Sequence, residues 1–199
     1  MNPDEKLELL SPFLQELENI HPLPAELKAC LLDDFVIVQG DKDTILLHEG
    51  DVCKYAWVVL CGLVRAFHYV NDEEVTSRLM KPYHIIISVS SFYLQTPSFE
   101  TVQILQPSVL ARMHYHQLEH LYQRFPSFNY TGRKLTERYF YLVEKRLFML
   151  RKHTALDRYK YFLEEYPGLV NETPLKYIAS FLSMSQETLS RVRNKIKER

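Results

Sequence analysis

The sequence predicts an α+β fold: a β sandwich or jelly roll, then a long helix, then two short helices around a tight turn. Three observations carry that reading. Residues 34 to 116 are rich in β-branched and aromatic residues, with turn signals every ~8–12 positions. The stretch "SFNYTGRKLTERYFYLVEKRLFMLRK" has the length and spacing of one long helix. Finally, "TPLKYIASFL" and "SQETLSRVRNKIKE" are short helical segments meeting at Ser183–Ser185.

Taken in order, residues 4 to 33 read as short helices broken at "HPLPAEL", where Pro22 and Pro24 interrupt and Ala25 restarts. Strands follow at "FVIVQ", "TILLHEGD", "YAWVVLCGLVRAFHYV", "EEVTSRLM", "HIIISV", "TVQIL" and "SVLARMHY". Turns are expected at Gly40–Asp41, Gly50–Asp51, Gly62 and Asn71–Asp72. "HQLEHLYQRFP" is a short helix, and Pro126 suits the entrance of the long one. The long helix carries an apolar stripe of Leu135, Tyr139, Leu142, Leu147 and Leu150. A second copy of the chain would bury that stripe across a two-fold axis, as a short parallel coiled coil; packing on its own β domain is the alternative. "TALDRYKYFLEEYPGLV" gives a further helix ended by Pro167–Gly168, and Thr173 with Pro174 starts the next. Domain boundaries are expected at 1–123, 124–152 and 153–199.

Of the 199 residues, 46% are hydrophobic and 25% charged, which is ordinary for a soluble domain with a real core. The net charge of −1 is unevenly spread: from Arg151 onward ten Lys/Arg face six Asp/Glu, whereas the first 150 residues hold fourteen against nineteen. That asymmetry points to an anionic partner for the C-terminal part. No signal-peptide pattern or membrane-length apolar run occurs, and Cys30, Cys53 and Cys61 are too scattered for a metal knuckle or redox pair. A cytoplasmic location is expected. Cys53 and Cys61 enter strands and are expected as core thiols. No Gly-rich phosphate loop, nucleophile elbow or paired-carboxylate motif appears, so an enzyme is not expected.

The two terminal segments have the spacing that a helix-turn-helix needs. Ala179 is the small residue where the helices would cross, and Ile178, Leu182, Met184, Leu189 and Val192 supply an apolar set. Ser185 is placed to cap the second helix, and Ser183 stands where a glycine is common in such turns. At ~100° per residue, Leu189, Val192 and Ile196 share one face. Glu187, Ser190, Arg191 and Asn194 lie opposite, with Arg193, Lys195 and Lys197 on the flanks. Short polar groups and one arginine toward base edges, with cations toward phosphates, are what a major-groove helix requires. An ordinary helical hairpin with a charged exterior is the competing reading.

These features together resemble the Crp/Fnr family of bacterial transcription regulators. The resemblance runs over nearly the whole chain, including "LLHEGDVCKYAWVVLCGLVRAF" and "IASFLSMSQETLSRVR", and "QETLSR" is its most specific part. It implies a cyclic-nucleotide-binding-like β-roll, a dimerisation helix with Leu135, Tyr139, Leu142 and Leu147, and a C-terminal reading head. "TALDRYKYFLEEYP" resembles short members of Bacteroidetes-like type. Base reading by Glu187, Ser190 and Arg191 is implied, with Gln186, Arg193 and Lys195 completing the DNA contacts.

The departures are equally specific. Cyclic-AMP-binding members hold the nucleotide with Gly-Glu and then Arg-Ser pairs, and these positions fall here on Ile87–Ser88 and Ser98–Phe99. The adenine-contacting Thr-Ser pair falls on Val143 and Glu144. Without the arginine a cyclic phosphate has no charge-assisted partner, so cyclic AMP is not expected. An N-terminal cysteine cluster for an iron–sulfur centre is missing, which leaves haem, needing only two axial ligands, as the open metal-cofactor alternative. His116 and His120, one turn apart beside His114, could chelate a metal but read better as surface histidines. The wing that follows the recognition helix in longer members is absent before Arg199, so the last basic turn would share the phosphate contacts.

The expectation is therefore a homodimeric, sequence-specific regulator of transcription that binds double-stranded DNA, with RNA polymerase as a further partner. It would have no cofactor, no membrane association and an unidentified small-molecule or redox effector. The effector pocket is expected around Ser88, Ser91, Ser98, Phe99, Glu100 and Thr101. A hinge near Lys152–Thr154 would orient the heads. The rival is a ligand-binding module acting through protein contacts, its helix-turn-helix degenerate.

Overall fold

A computed structural model describes residues 2–152 and 154–197, with Lys152 and Lys197 described by backbone alone. The hinge expected at Lys152–Thr154 passes through His153, and the final turn includes Glu198 and Arg199, so both readings fall partly outside the described residues. The chain forms two compact units. One holds Met1–Ala66 and Leu79–Glu137, the other Phe67–Arg78 and Arg138–Arg199. The division differs from the three consecutive segments expected, because a piece of the β region, 67–78, belongs with the C-terminal helices.

The first unit opens with α1 (Pro3–Ile20) and α2 (Ala25–Asp34). Asn2 and Glu5 form a reciprocal capping box at the start of α1, and Pro3 sits in the first turn, where a missing amide costs nothing. The strands are β1 (Val36–Gly40), β2 (Ile45–Leu47), β3 (Tyr55–Val70), β4 (Glu73–Met80), β5 (Ile85–Ile86) and β6 (Thr101–His114). They form one sheet of order β1-β6-β3-β4, with β2 added on β6 and β5 on β3. "HIIISV" is strand only at β5; Val89–Leu94 coils into helix α3. "TVQIL" and "SVLARMHY" are one strand, β6, which continues through Pro107.

Gly62 is not a turn. It lies inside β3 with φ +103°, and the alternation of buried residues changes phase across it. Trp57 and Val59 before it, and Val64 and Ala66 after it, all face the core that β6 lines with Val102, Ile104 and Leu110. Odd positions give way to even ones, as one extra residue in a strand requires. A Cβ on Gly62 would meet the Ser108 backbone at 2.8 Å, so the glycine is needed for close approach as well as for φ. The other face of these strands, Val58, Leu60, Ala111 and Met113, packs on Leu10, Leu14, Leu17, Leu27 and Leu31 of α1 and α2. With both faces covered, β3 reads as a near-continuous apolar run. The β3–β4 hairpin turns on Asn71 and Asp72, both at positive φ (50° and 64°), a two-residue I′ turn that the sequence signals directly.

Helix α4 (Tyr115–Arg124) leads into α5 (Phe128–Lys152), which passes from the first unit into the second. The remaining helices are α6 (Ala155–Glu165), α7 (Leu169–Glu172), α8 (Leu175–Phe181) and α9 (Gln186–Lys197). Thr173 does not cap α8: its buried hydroxyl has no hydrogen-bond partner, and the Pro174 carbonyl accepts the first helical bonds, from Tyr177 and Ile178. In the second unit Phe162 and Tyr166 stack at 5.3 Å, Phe181 meets both edge-on at 6.1 and 5.4 Å, and Tyr159, Leu169, Ile178, Leu182 and Leu189 are buried as well. Among the described residues no helix is long and apolar enough to cross a membrane.

Candidate nucleic-acid interface and effector pocket

In the second unit α8 and α9 meet at Ala179, which is 2% exposed and lets the helices approach. The turn between them is a Schellman closure: the Met184 amide donates to Ala179 O and the Ser183 amide to Ser180 O, both at 3.0 Å. Ser183 occupies the left-handed position, φ +51°, that normally favours glycine. The Ser185 hydroxyl accepts from the Thr188 amide at 3.2 Å, the expected cap of α9. Ile178, Leu182 and Leu189 are fully buried, with Met184 and Val192 half-buried beside them.

Gln186, Glu187, Ser190, Arg191 and Asn194 are all exposed; Glu187, Arg191 and Asn194 lie on the side of α9 away from Leu189, Ser190 at its edge, and Gln186 beside the Leu189 face. The Ser185 hydroxyl, Glu187's own amide and the nearby Arg191 hold the Glu187 carboxyl below the usual carboxylate range. Thr188, which the sequence reading passed over, connects this face: its hydroxyl accepts from Ser185 at 3.1 Å and from Arg191 Nη2 at 3.3 Å. Its position between a cap and an arginine at i and i+3 is the signal that could have singled it out. Arg193 is half-buried and donates to the Tyr159 phenol, whose pKa burial pushes up. It therefore fastens α9 to α6 as well as standing on the flank. Lys195 is exposed along a groove shared with Leu156, Lys160 and Leu163. Arg158 Nη2 donates to Ser183 O at 3.4 Å, adding a cation to the turn.

On α5 the expected stripe is only partly free. Leu135 packs against the α1–α2 core of the first unit. Tyr139 and Leu142 lie, at ~100° per residue, on the same side as half-buried Arg146 and buried Met149 in the second unit. The most exposed apolar residues, Phe140 at 69%, Tyr141 at 58% and Phe148 at 52%, flank Leu147 on the other side. The Leu135–Tyr139–Leu142 part of the expected stripe misses them because it follows the side of the helix that carries Arg146 and Met149, more than about 100° away.

In the first unit Ser88 and Ser91 lie at the start of α3 and Ser98 bonds back to Ser88, so three of the six expected effector residues come together there. Ser88, Ser91, Ser98, Glu100 and Thr101 are buried and Phe99 alone points to solvent. The Ser88 and Ser98 hydroxyls bond to each other at 2.9 Å. Ser98 Oγ also accepts from the Glu100 amide at 3.1 Å. Ser91 accepts from the Cys53 amide at 2.8 Å and donates to the Thr96 carbonyl. Thr101 accepts from the Glu49 amide at 3.1 Å. The segment is closed on itself by its own hydroxyls. A shallow groove of about 370 Å³ lies elsewhere in this unit, lined by His48, Lys54, Tyr55 and Trp57 among others.

The histidines have local roles. His114 Nδ1 accepts from the His116 amide at 3.2 Å and caps α4 with Gln117. Burial, then His116 and Lys54, push its pKa down. Among the described residues no three His, Cys, Asp or Glu side chains come together as a metal site. Cys53 is buried as expected, whereas Cys61 is exposed, because the residue before the Gly62 shift points outward.

No curated protein matches the chain by sequence. Residues 37–125 match the cyclic nucleotide-binding domain. Similar solved structures include FixK2 from Bradyrhizobium japonicum, at 17% identity and TM-score 0.70, covering 82% of this chain and 85% of that one. CooA from Carboxydothermus hydrogenoformans, solved as a mutant, matches at 18% identity and TM-score 0.67 over 92% and 83%. The c-di-GMP-responsive regulator CLP from Xanthomonas campestris matches at 17% identity and TM-score 0.67 over 88% and 92%. Residues 37–125 thus resemble a cyclic nucleotide-binding domain, in a chain that shares its fold with FixK2, CooA and CLP.

Proposed function

We propose that this chain is a dimeric, sequence-specific DNA-binding regulator of transcription whose β-roll senses a small-molecule or redox effector other than cyclic AMP. The observation that carries the DNA-reading part is the α8–α9 pair, which this reading takes as a helix-turn-helix. Leu189 is wholly buried against α8 while Glu187 and Arg191 stand exposed on the opposite side of α9, with Ser190 exposed at its edge. Arg191 pairs with a guanine edge and Glu187 accepts from a cytosine amine. Gln186, Arg193 and Lys195 supply further contacts, the cations toward phosphate.

Dimerisation through α5 is supported by its exposed apolar side, Phe140, Val143, Leu147 and Phe148, with Tyr139 and Leu142 at its edge and Leu135 committed to the first unit. The regions 1–123, 124–152 and 153–199 act as sensor, dimer helix and head. Against cyclic AMP stands the chemistry of the cassette: Ser98 and Phe99 replace the Arg-Ser pair, and the hydroxyls there are already bonded. A closed cassette needs an effector that opens it, or one that binds at another surface. RNA polymerase is the further partner such a regulator addresses.

Selection from random duplexes, followed by a salt titration on selected and scrambled DNA, tests the reading. An enriched motif with two related half-sites is the expected result. Equal affinity for both duplexes would leave the chain as a ligand-binding module acting through protein contacts.

A further inference from the structure

We propose that the β3–β4 hairpin is the strut that orients the α8–α9 pair, and thereby sets which half-site spacing a dimer of this chain accepts. The inference rests on the DNA-reading assignment of α9. Its basis is a set of contacts within the second unit, which gathers residues 67–78 with the C-terminal helices.

Strand β4 ends the sheet order, so one side of it has no neighbouring strand in that order. Ser180, on α8, bonds to two backbone groups of this strand. Its hydroxyl accepts from the Thr76 amide at 2.8 Å and donates to the Glu74 carbonyl at 3.2 Å. A carbonyl at one residue and an amide two residues on face the same side of a strand, so a single hydroxyl substitutes for a neighbouring strand. Arg146, on α5, grips the same two elements from another direction. Its Nη2 donates to Phe181 O at 3.1 Å and to Thr76 O at 3.4 Å, and its guanidinium lies 4.1 Å from the Phe181 ring. A cation at the C-terminal end of α8 is favourably placed against the helix dipole. Burial pushes the Arg146 pKa down, with Arg78 adding to the effect, so the guanidinium is held by carbonyls and a ring in a poorly hydrated place.

Residues 74–76 of the hairpin and 180–181 of α8 are thus joined by two direct hydrogen bonds and by two more that run through Arg146. The Lys145–Glu165 ion pair fastens α5 to α6 beside them. This path to the head is independent of the link through His153. Because two recognition helices must lie about one DNA turn apart, a head free to rotate on α5 would accept several spacings, and a strutted one would accept few.

The test uses the full chain and duplexes carrying two selected half-sites at stepped separations. Wild type is expected to prefer one spacing. Ser180→Ala and Arg146→Met are expected to flatten that preference by roughly tenfold, the worth of two lost hydrogen bonds. Affinity for a single half-site should stay within about twofold, since no base contact is removed. Ser180→Thr, which keeps the hydroxyl, should restore the preference. Hydrogen exchange at the Thr76 amide gives a readout free of DNA: slow in wild type and in Ser180→Thr, fast in Ser180→Ala. An unchanged spacing preference in both variants would overturn the proposal, and so would fast Thr76 exchange in wild type. If wild type selects no operator while the Thr76 amide is protected, the DNA-reading assignment fails and the strut's role in spacing falls with it, though the contact stands.

Discussion

Ser88, Ser91 and Ser98 in the first unit are almost without solvent exposure, and their hydroxyls are consumed by one another and by the backbone. Glu187, Ser190 and Arg191 in the second unit are the same kind of small polar and charged groups, and they face water. The first set satisfies a buried segment that would otherwise carry orphaned amides. The second leaves donors and acceptors available on a rigid helix. What separates a buried polar cluster from an exposed, available one is where its hydrogen bonds go, more than its composition.

Five outcomes would sharpen or break that contrast. The largest should be Leu189→Ala, which empties the seat beneath α9 and should cost about 2–5 kcal/mol in urea unfolding of the second unit. Arg191→Ala should cost about 1–3 kcal/mol of specific binding and relax one base pair, while leaving stability unchanged; equal losses on specific and random duplexes would contradict base reading. Ser91→Ala should do the reverse. It strands the Cys53 amide and should cost about 1–3 kcal/mol of stability in thermal or urea melts with no change in DNA specificity. Ser183→Gly should stabilise by about 0.5–1 kcal/mol, since φ +51° strains a serine and the gain is partly offset by the freer unfolded chain. The smallest effect concerns Glu187. Its carboxyl lies below the ordinary range, so its support for the α9 start is present above the unfolded carboxylate pKa and is lost as pH falls through the lower folded value. An NMR titration of the Ser185–Thr188 amides should show that loss only in strongly acidic solution.

Much of this was legible in the sequence for identifiable reasons. Asn71–Asp72 dictates an I′ hairpin, Ala179 and the apolar set around it dictate a steep helix crossing, and Ser185 announces a cap. The exposed face of α9 follows from helical spacing alone. What stayed hidden depends on tertiary choices. The phase change at Gly62 looks like a turn when only local residues are considered, and that error also placed Cys61 inside. The sequence does not reveal that the serines around α3 spend their hydroxyls on one another and on the backbone of Cys53 and Thr96. Arg146 gives no local sign of being half-buried, and the dimer stripe drawn through Leu135, Tyr139 and Leu142 could not reveal that α5 is shared between two units.

The hairpin's membership in the C-terminal unit has a consequence for how the chain comes together over time. Thr76 and Ser180 are 104 residues apart, so a ribosome has long finished the hairpin before it supplies the helix that seats on it. Closing so long a loop is slow and entropically costly, and this contact must wait until α8 has been made. A head expressed on its own from residue 138 would start life without the strand edge its serine is built to meet.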